Sequence, residues 1–183
     1  SESILITGVT GFTGGALARR LVSDGQKVTA FVRSKERAGD LAKLGVDLRE
    51  VDITDRAAVF DAMQPFEKVY HIAAAFRTEH NRLEDFLAVN AEGARHMLDA
   101  ARKQGVGRFI HCSTVGVQGE IDNPPADEDY RFNPGDHYQQ SKLEGEKIAR
   151  QHFKEGMPGT VVRPVGIYRS EERRVGKECA TGC

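Results

Sequence analysis

Tyr138 and Lys142 stand four apart in Tyr138-Gln139-Gln140-Ser141-Lys142, so on a helix they share one face. A tyrosine titrating near ~10 is a poor acid–base group at neutral pH, but a neighbouring ammonium favours its phenolate and suits it to proton exchange. Surface pairs have the same spacing, so the choice rests on what surrounds these two residues. A second signal lies near the start of the chain. In Thr7-Gly8-Val9-Thr10-Gly11-Phe12-Thr13-Gly14 the glycines at 8, 11 and 14 recur every three residues where an apolar strand must turn into a helix. Without Cβ atoms, such a turn takes unusual dihedrals and brings backbone N–H groups close to a pyrophosphate, while the helix N-terminus adds partial positive charge. A tight turn with no ligand would use the same glycines; their place between the first strand and first helix favours the phosphate reading.

These residues need a frame. Short apolar runs at 4–7, 28–32, 46–51, 68–72, 108–112 and 160–162 read as strands. Between them, apolar residues at helical spacing predict helices at 12–23, 37–44, 55–63, 82–103 and 138–154, with Asp55 as a cap and Asp24-Gly25, Gly45 and Gly105 as stops. Residues 115–136 read as a loop, and Leu143, Ile148 and Phe153 as core contacts of the last helix. Alternating βα units predict an α/β fold, a doubly wound parallel sheet (Rossmann fold) of six strands. The 183 residues suffice for one such domain. With 26 Lys and Arg against 27 Asp and Glu, charge does not favour nucleic acid or an anionic membrane as a partner. No apolar run approaches the ~20 residues of a spanning helix, and no signal peptide is recognised, so the expected location is cytoplasmic. Cys112, Cys179 and Cys183 fit neither a disulfide framework nor a metal site; no metal is expected.

With the turn TGVTGFTG, the Tyr138/Lys142 pair and matches spread from Thr7 to Tyr168, the chain resembles the extended short-chain dehydrogenase/reductases, the NAD-dependent epimerase/dehydratase family. Val32-Arg33 slightly favours its dihydroflavonol-reductase-like branch. The resemblance implies that Gly8, Gly11, Phe12, Thr13 and Gly14 cradle the pyrophosphate, Phe12 and Thr13 through their amides. It implies that Asp52 with Ile53 lies at the adenine, that Ala73, Ala74 and Ala75 leave room for the cofactor, and that Asn90 belongs to the cofactor-binding VNxxG segment. Pro164 and Val165 would pack near the nicotinamide. Tyr138 and Lys142 would form the YxxxK relay, Lys142 also holding the nicotinamide ribose. Counting back from Gly119 in Ser113-Thr114-Val115-Gly116-Val117-Gln118-Gly119 places Thr114 at the substrate oxygen, with Ser113 as the possible substitute. Gln118 departs from the family's usual Tyr, which weakens the case for a sugar nucleotide. His111 and Cys112 read as structural strand residues. For Asp52 taken alone, a cap or solvated turn is the simpler reading.

An acid about twenty residues past the glycines reads the adenosine ribose of NAD and would repel a 2′-phosphate. Here Arg33 takes that place, with Ser34 and Lys35 adding a donor and a charge, so NADP is the expected cofactor and NAD the alternative. The implied activity is hydride transfer between C4 of the nicotinamide and a carbinol or carbonyl carbon of a sugar nucleotide, steroid-like alcohol or small ketone. A non-catalytic NAD(P) sensor and an inert fragment of such an enzyme are the alternatives. The expected organisation is a nucleotide-binding domain over 1–168 and a charged, disordered or non-native tail over 169–183 that replaces a missing substrate domain. The chain as it stands is expected to bind dinucleotide weakly and to turn over no substrate; the full-length form is expected to be a homodimer.

Overall fold

The computed structural model describes residues 1–76 and 82–168. Six parallel strands, β1 (Ser3–Thr7), β2 (Lys27–Val32), β3 (Asp47–Glu50), β4 (Lys68–His71), β5 (Arg108–Cys112) and β6 (Gly159–Val162), form one sheet in the order β3-β2-β1-β4-β5-β6. All six lie where the apolar runs predicted them, with ends within one residue. Helices α1 (Phe12–Ser23), α2 (Gly39–Lys43), α3 (Arg56–Ala62), α4 (Leu83–Leu87), α5 (Ala94–Gln104) and α6 (His137–Lys154) supply the crossovers. The doubly wound Rossmann architecture follows.

β1 shows why the strands read as continuous apolar runs. Ile4 and Ile6 pack with Val28, Ala30, Ala18 and Leu41 on the face carrying α1 and α2. Leu5 points the other way, into a cluster with Val69, Phe109, Val59, Met97 and Ala149 under α3, α5 and α6. A strand covered on both faces has no position for a polar outward residue. β1 pairs with β2 on one side and β4 on the other, so the chain reverses its winding there and its loops diverge. That divergence opens a crevice beyond the carboxyl ends of β1 and β4.

The helix expected over 82–103 is interrupted: a π-helical turn, Ala88–Gly93, separates α4 from α5. The wider turn holds Asn90 inward, 3% exposed, where its amide nitrogen donates to the Ser141 hydroxyl (2.9 Å) and the Ala75 carbonyl (3.1 Å) and its oxygen accepts from Ala75 N (2.8 Å). α6 comes backbone to backbone with this turn at Gly145, where a Cβ would sit 2.1 Å from the Asn90 carbonyl oxygen. Within the expected loop at 115–136, Val115–Gln118 forms a short 3-10 turn capped by Thr114. Asp55 caps α3 through Ala58 N, as expected. The expected tail at 169–183 lies outside the described residues.

Candidate active site

The glycine turn is built against β4. Gly8 has φ +79, and a Cβ there would stand 2.7 Å from Ala73 N; one on Gly14 would stand 2.2 Å from the Gly8 carbonyl oxygen. Side chains cannot enter this turn without displacing backbone. Thr7 locks the arrangement: its hydroxyl accepts from Ile72 N and Ala73 N, both at 3.1 Å, and lies 2.9 Å from His71 Nδ1. With both lone pairs taken, its own proton goes to Nδ1. Ala73 is thereby fixed beside Gly8, and, two residues on, Ala75 is held by Asn90. Gly11 precedes α1 with no side-chain cap, and the first turn contains no acid, so no carboxylate competes for the positive end of the helix.

α6 begins at the same edge. Asp136 caps it, accepting from Gln139 N (2.7 Å), and Tyr138 follows, half-buried, with its ring edge-on to Phe76 and Phe86 at 5.5 and 6.1 Å. The Ser141 hydroxyl, bonded by Asn90, donates to the Tyr138 carbonyl (2.7 Å) and holds this first turn to the π turn. Lys142 is 4% exposed, and one of its N–H groups donates to the Cys112 carbonyl at 2.6 Å. Burial draws its pKa below the ordinary lysine value, against the opposing pull of Cys112 and Glu146. Burial likewise pushes the Cys112 thiol up.

The two hydroxyls after β5 part company. Ser113 is 3% exposed and donates to Glu146 at 2.6 Å. Thr114 is half-buried, and its oxygen accepts from Gly116 N (3.1 Å) while its own proton is not used in that bond. Gly116 abuts the Gln139 side chain, so the turn after Thr114 lies against the residue following Tyr138. Pro164 closes this side through its carbonyl, which accepts from Val115 N at 3.4 Å; Val165 is exposed.

Glu146, one helical turn beyond Lys142, is 0% exposed. Arg163 grips it through Nη2 (2.6 Å) and Nε (3.1 Å), Arg150 approaches at 3.4 Å, and Ser113 completes the set. Burial alone would raise this carboxyl; hydrogen bonds from Arg163 and Ser113 and the guanidinium charge outweigh it, and the group stays below the usual carboxylate range. The network ties α6, the end of β5 and the segment after β6 together. Sequence reasoning missed Glu146, Ser141, Phe76 and Phe86. Glu146 was detectable as the next residue on the face shared by Tyr138 and Lys142.

Other expected cofactor contacts are more dispersed. Arg33 is exposed just past β2; the Ser34 hydroxyl donates to Glu36 at 2.5 Å, and that bond holds the Glu36 carboxyl below its ordinary value. Lys35 is exposed nearby. Asp52 accepts from Thr54 N (2.9 Å) and Thr54 Oγ1 (2.8 Å), a local turn at the end of β3. Ile53 is a core residue, packed at Gly93. Under the site, His71 and His111 are both buried, His111 as expected of a structural strand residue. His71 is pushed down to about 3 by burial and then by the Lys142 charge, and His111 falls well below the ordinary value for the same reasons with His71 added. A groove of about 720 Å³ along α6 and β6, lined by Phe132, Phe153 and Val161, does not include Tyr138, Lys142 or Thr114; it touches the Glu146 network through Arg150.

The profile of the NAD dependent epimerase/dehydratase family matches residues 4–177. Sterol demethylase protein B of Methylococcus capsulatus is 32% identical over 166 residues, which are 89% of this chain and 51% of that protein. A short-chain dehydrogenase/reductase superfamily structure from Agrobacterium tumefaciens with bound NAD superposes with a TM-score of 0.78 at 29% identity, over 87% of this chain and 48% of that one. The UDP-Glc/GlcNAc 4-epimerase of Campylobacter jejuni shares the fold with a TM-score of 0.82 at 22% identity, over 89% of this chain and 53% of that one. The chain spans about half the length of the curated relatives it matches.

Proposed function

The chain belongs to the NAD-dependent epimerase/dehydratase family, and from that premise we propose that it seats a nicotinamide dinucleotide across the β1/β4 crevice and that the whole protein moves a hydride between that cofactor and a carbinol or carbonyl carbon. The observation that carries this reading is convergence. The glycine turn, Thr114 and the Tyr138/Lys142 face all lie at the carboxyl edge of one parallel sheet. The turn suits a dinucleotide because Gly8 and Gly14 let its backbone pack directly on itself and on the end of β4 with no side chain inside it, and because α1 starts without a side-chain cap.

A bound dinucleotide supplies the hydride acceptor or donor at C4 of its nicotinamide. Tyr138 exchanges the proton: when a carbinol is oxidised, its O–H proton passes to the phenolate as its C–H hydride departs, and reduction of a ketone runs the reverse. Lys142 favours the phenolate by its charge, held in place by the Cys112 carbonyl. Thr114 orients the reacting oxygen and shares its developing charge. The commitment of Ser113 to Glu146 supports Thr114 over Ser113 for this role. The intact Tyr138/Lys142 pair favours an enzyme over a non-catalytic sensor.

Arg33 supports NADP, since an exposed guanidinium at the end of β2 suits a 2′-phosphate. Glu36, holding Ser34, is the feature on the side of NAD. No described helix is long and apolar enough to cross a membrane; cytoplasmic residence and a full-length homodimer complete the proposal.

The chain has no tryptophan, so the fluorescence of NADPH or NADH reports binding without that background. Enhancement is expected on titration, lost in Gly14→Ala and retained in Tyr138→Phe, which in the full-length enzyme should abolish turnover. NADPH should bind more tightly than NADH, and Arg33→Asp should shift the ratio by about tenfold or more. Equal binding by Gly14→Ala would remove the cofactor from this turn; wild-type preference for NADH would return the assignment to NAD.

A further inference from the structure

Across the carboxyl end of the sheet, parallel register sets Thr7 of β1 beside His71 of β4, and His71 beside His111 of β5. His71 is 2% exposed, with its ring 5.7 Å from that of His111 and 6.0 Å from that of Phe109. This row is tied to the glycine turn through Thr7. The Thr7 oxygen accepts from Ile72 N and Ala73 N together and has one proton left to place. His71 Nδ1, 2.9 Å away, receives it. Burial keeps the imidazole neutral and the Lys142 charge adds to the effect; an imidazolium would have no lone pair to offer.

An apolar side chain at 71 would fill this space without the cost of burying an imidazole. What it would lack is the lone pair. With no acceptor there, the Thr7 hydroxyl satisfies its proton only by rotating toward another oxygen, and a rotated hydroxyl no longer lies on both amides. Those amides belong to the backbone packed on Gly8, where a Cβ would stand 2.7 Å from Ala73 N and 3.0 Å from Ile72 C. Gly8 holds the rest of the turn. Its carbonyl oxygen accepts from Gly11 N at 3.1 Å and lies 2.2 Å from where a Cβ on Gly14 would stand. Backbone packed this closely passes a small displacement on rather than absorbing it.

Resting on the cofactor reading above, we infer that His71 is a positioning residue for the dinucleotide: with its own proton on Nε2, it accepts the Thr7 proton at Nδ1 and thereby sets the backbone of the glycine turn in its binding shape. Buried, it acts through Thr7.

The test titrates the 183-residue chain with NADPH and NADH at pH 7, read by the amide NMR shifts of Gly8, Gly11 and Gly14, with urea unfolding run on each variant. His71→Leu should weaken the tighter dinucleotide by about tenfold, and His71→Asn, whose Oδ1 stands near the place of Nδ1, should restore most of the loss. His71→Gln puts its acceptor near Nε2 instead. It should bind as weakly as His71→Leu, and it gives the same reading if the leucine variant does not fold. Val69→Ala, in the core of β4, should lower stability while moving the Kd by no more than about twofold. On a Thr7→Val background His71→Leu should add little further loss, because the bond it removes is already gone. In the wild type, 15N spectra should show Nδ1 of His71 without a proton and Nε2 with one. The opposite tautomer would overturn the inference, as would full additivity with Thr7→Val. A loss in Val69→Ala equal to that in His71→Leu would reduce the effect to stability and overturn it too. Dinucleotide binding that is present but indifferent to His71→Leu and His71→Gln overturns this inference alone; binding absent from the wild type overturns the cofactor reading and this inference with it.

Discussion

His71 and His111 pair in register across β4 and β5 with ring centroids 5.7 Å apart, and they are 2% and 1% exposed. Burial holds both neutral in the folded protein, His71 down to about 3. In the unfolded chain each accepts a proton near ~6.5. Below that pH the unfolded state binds protons that the folded state refuses, so stability fully present above ~6.5 is lost as pH falls, and for His71 the loss continues until about pH 3. Between pH 7 and pH 5 the His71 imidazole costs about 2 kcal/mol, and His111 adds to the loss in the same direction. Even the first share is a noticeable part of the 5–15 kcal/mol typical of a folded domain, taken here as an order of magnitude. His111→Leu isolates one share. Neither ring nitrogen of His111 has a hydrogen-bond partner among the described residues, so the substitution breaks no bond, and at pH 7 it should be neutral or stabilise by about 1–2 kcal/mol. It should also reduce the acid-dependent loss. Urea unfolding followed by circular dichroism at pH 7, 6 and 5 measures both effects. Parallel losses in wild type and variant, or destabilisation of the variant at pH 7, would show that His111 is solvated or bonded and refute the argument.

Gly145→Ala should separate α6 from the π turn, because its Cβ would lie 2.1 Å from the Asn90 carbonyl oxygen; a loss of about 2–3 kcal/mol in urea unfolding is expected, with weakened dinucleotide binding. Ser113→Ala and Thr114→Ala should sort stability from chemistry. The first removes a bond to a buried carboxylate and should cost about 1.5–3 kcal/mol, the second a short turn's cap and about 1 kcal/mol or less. In the full-length enzyme the order should reverse, Thr114→Ala lowering turnover more than Ser113→Ala.

Elements governed by local chemistry were legible in the sequence. The strands announce themselves because burial on both faces leaves runs such as Ile4-Leu5-Ile6, and Asp55 and Gly105 mark helix ends by their own conformational preferences. The π turn is not local. Asn90 turns inward because Ala75 and Ser141, 15 and 51 residues away in sequence, receive its amide, and because Gly145 leaves space for its carbonyl. Glu146 shares the Tyr138/Lys142 face by spacing, but its burial and its partners were hidden for a similar reason. A charged residue in a helix is read as solvent-facing, and only the fold brings Arg163 and Ser113 to it. The Tyr138/Lys142 pair and the glycine turn were visible because their spacing carries the geometry, and the small residues after β4 only through the family resemblance; the aromatic wall of Phe76 and Phe86 against Tyr138 is assembled by tertiary packing alone.

The Glu146 network has a consequence for how the protein is made. On the ribosome Ser113 and Glu146 emerge before Arg163, and until Arg163 arrives the carboxylate lacks its closest cation. Docking α6 in that interval would bury a charge without its main counterpart, at a cost of about 3–5 kcal/mol, comparable to the whole stability of a modest domain. α6 therefore settles only when the residues just after β6 have been synthesised, and Tyr138 and Lys142 settle with it. The glycine turn, whose packing partners Ile72 and Ala73 lie in the first half of the chain, carries no such requirement. Until Arg163 is made, docking α6 means burying an under-compensated carboxylate, and one arginine removes that penalty.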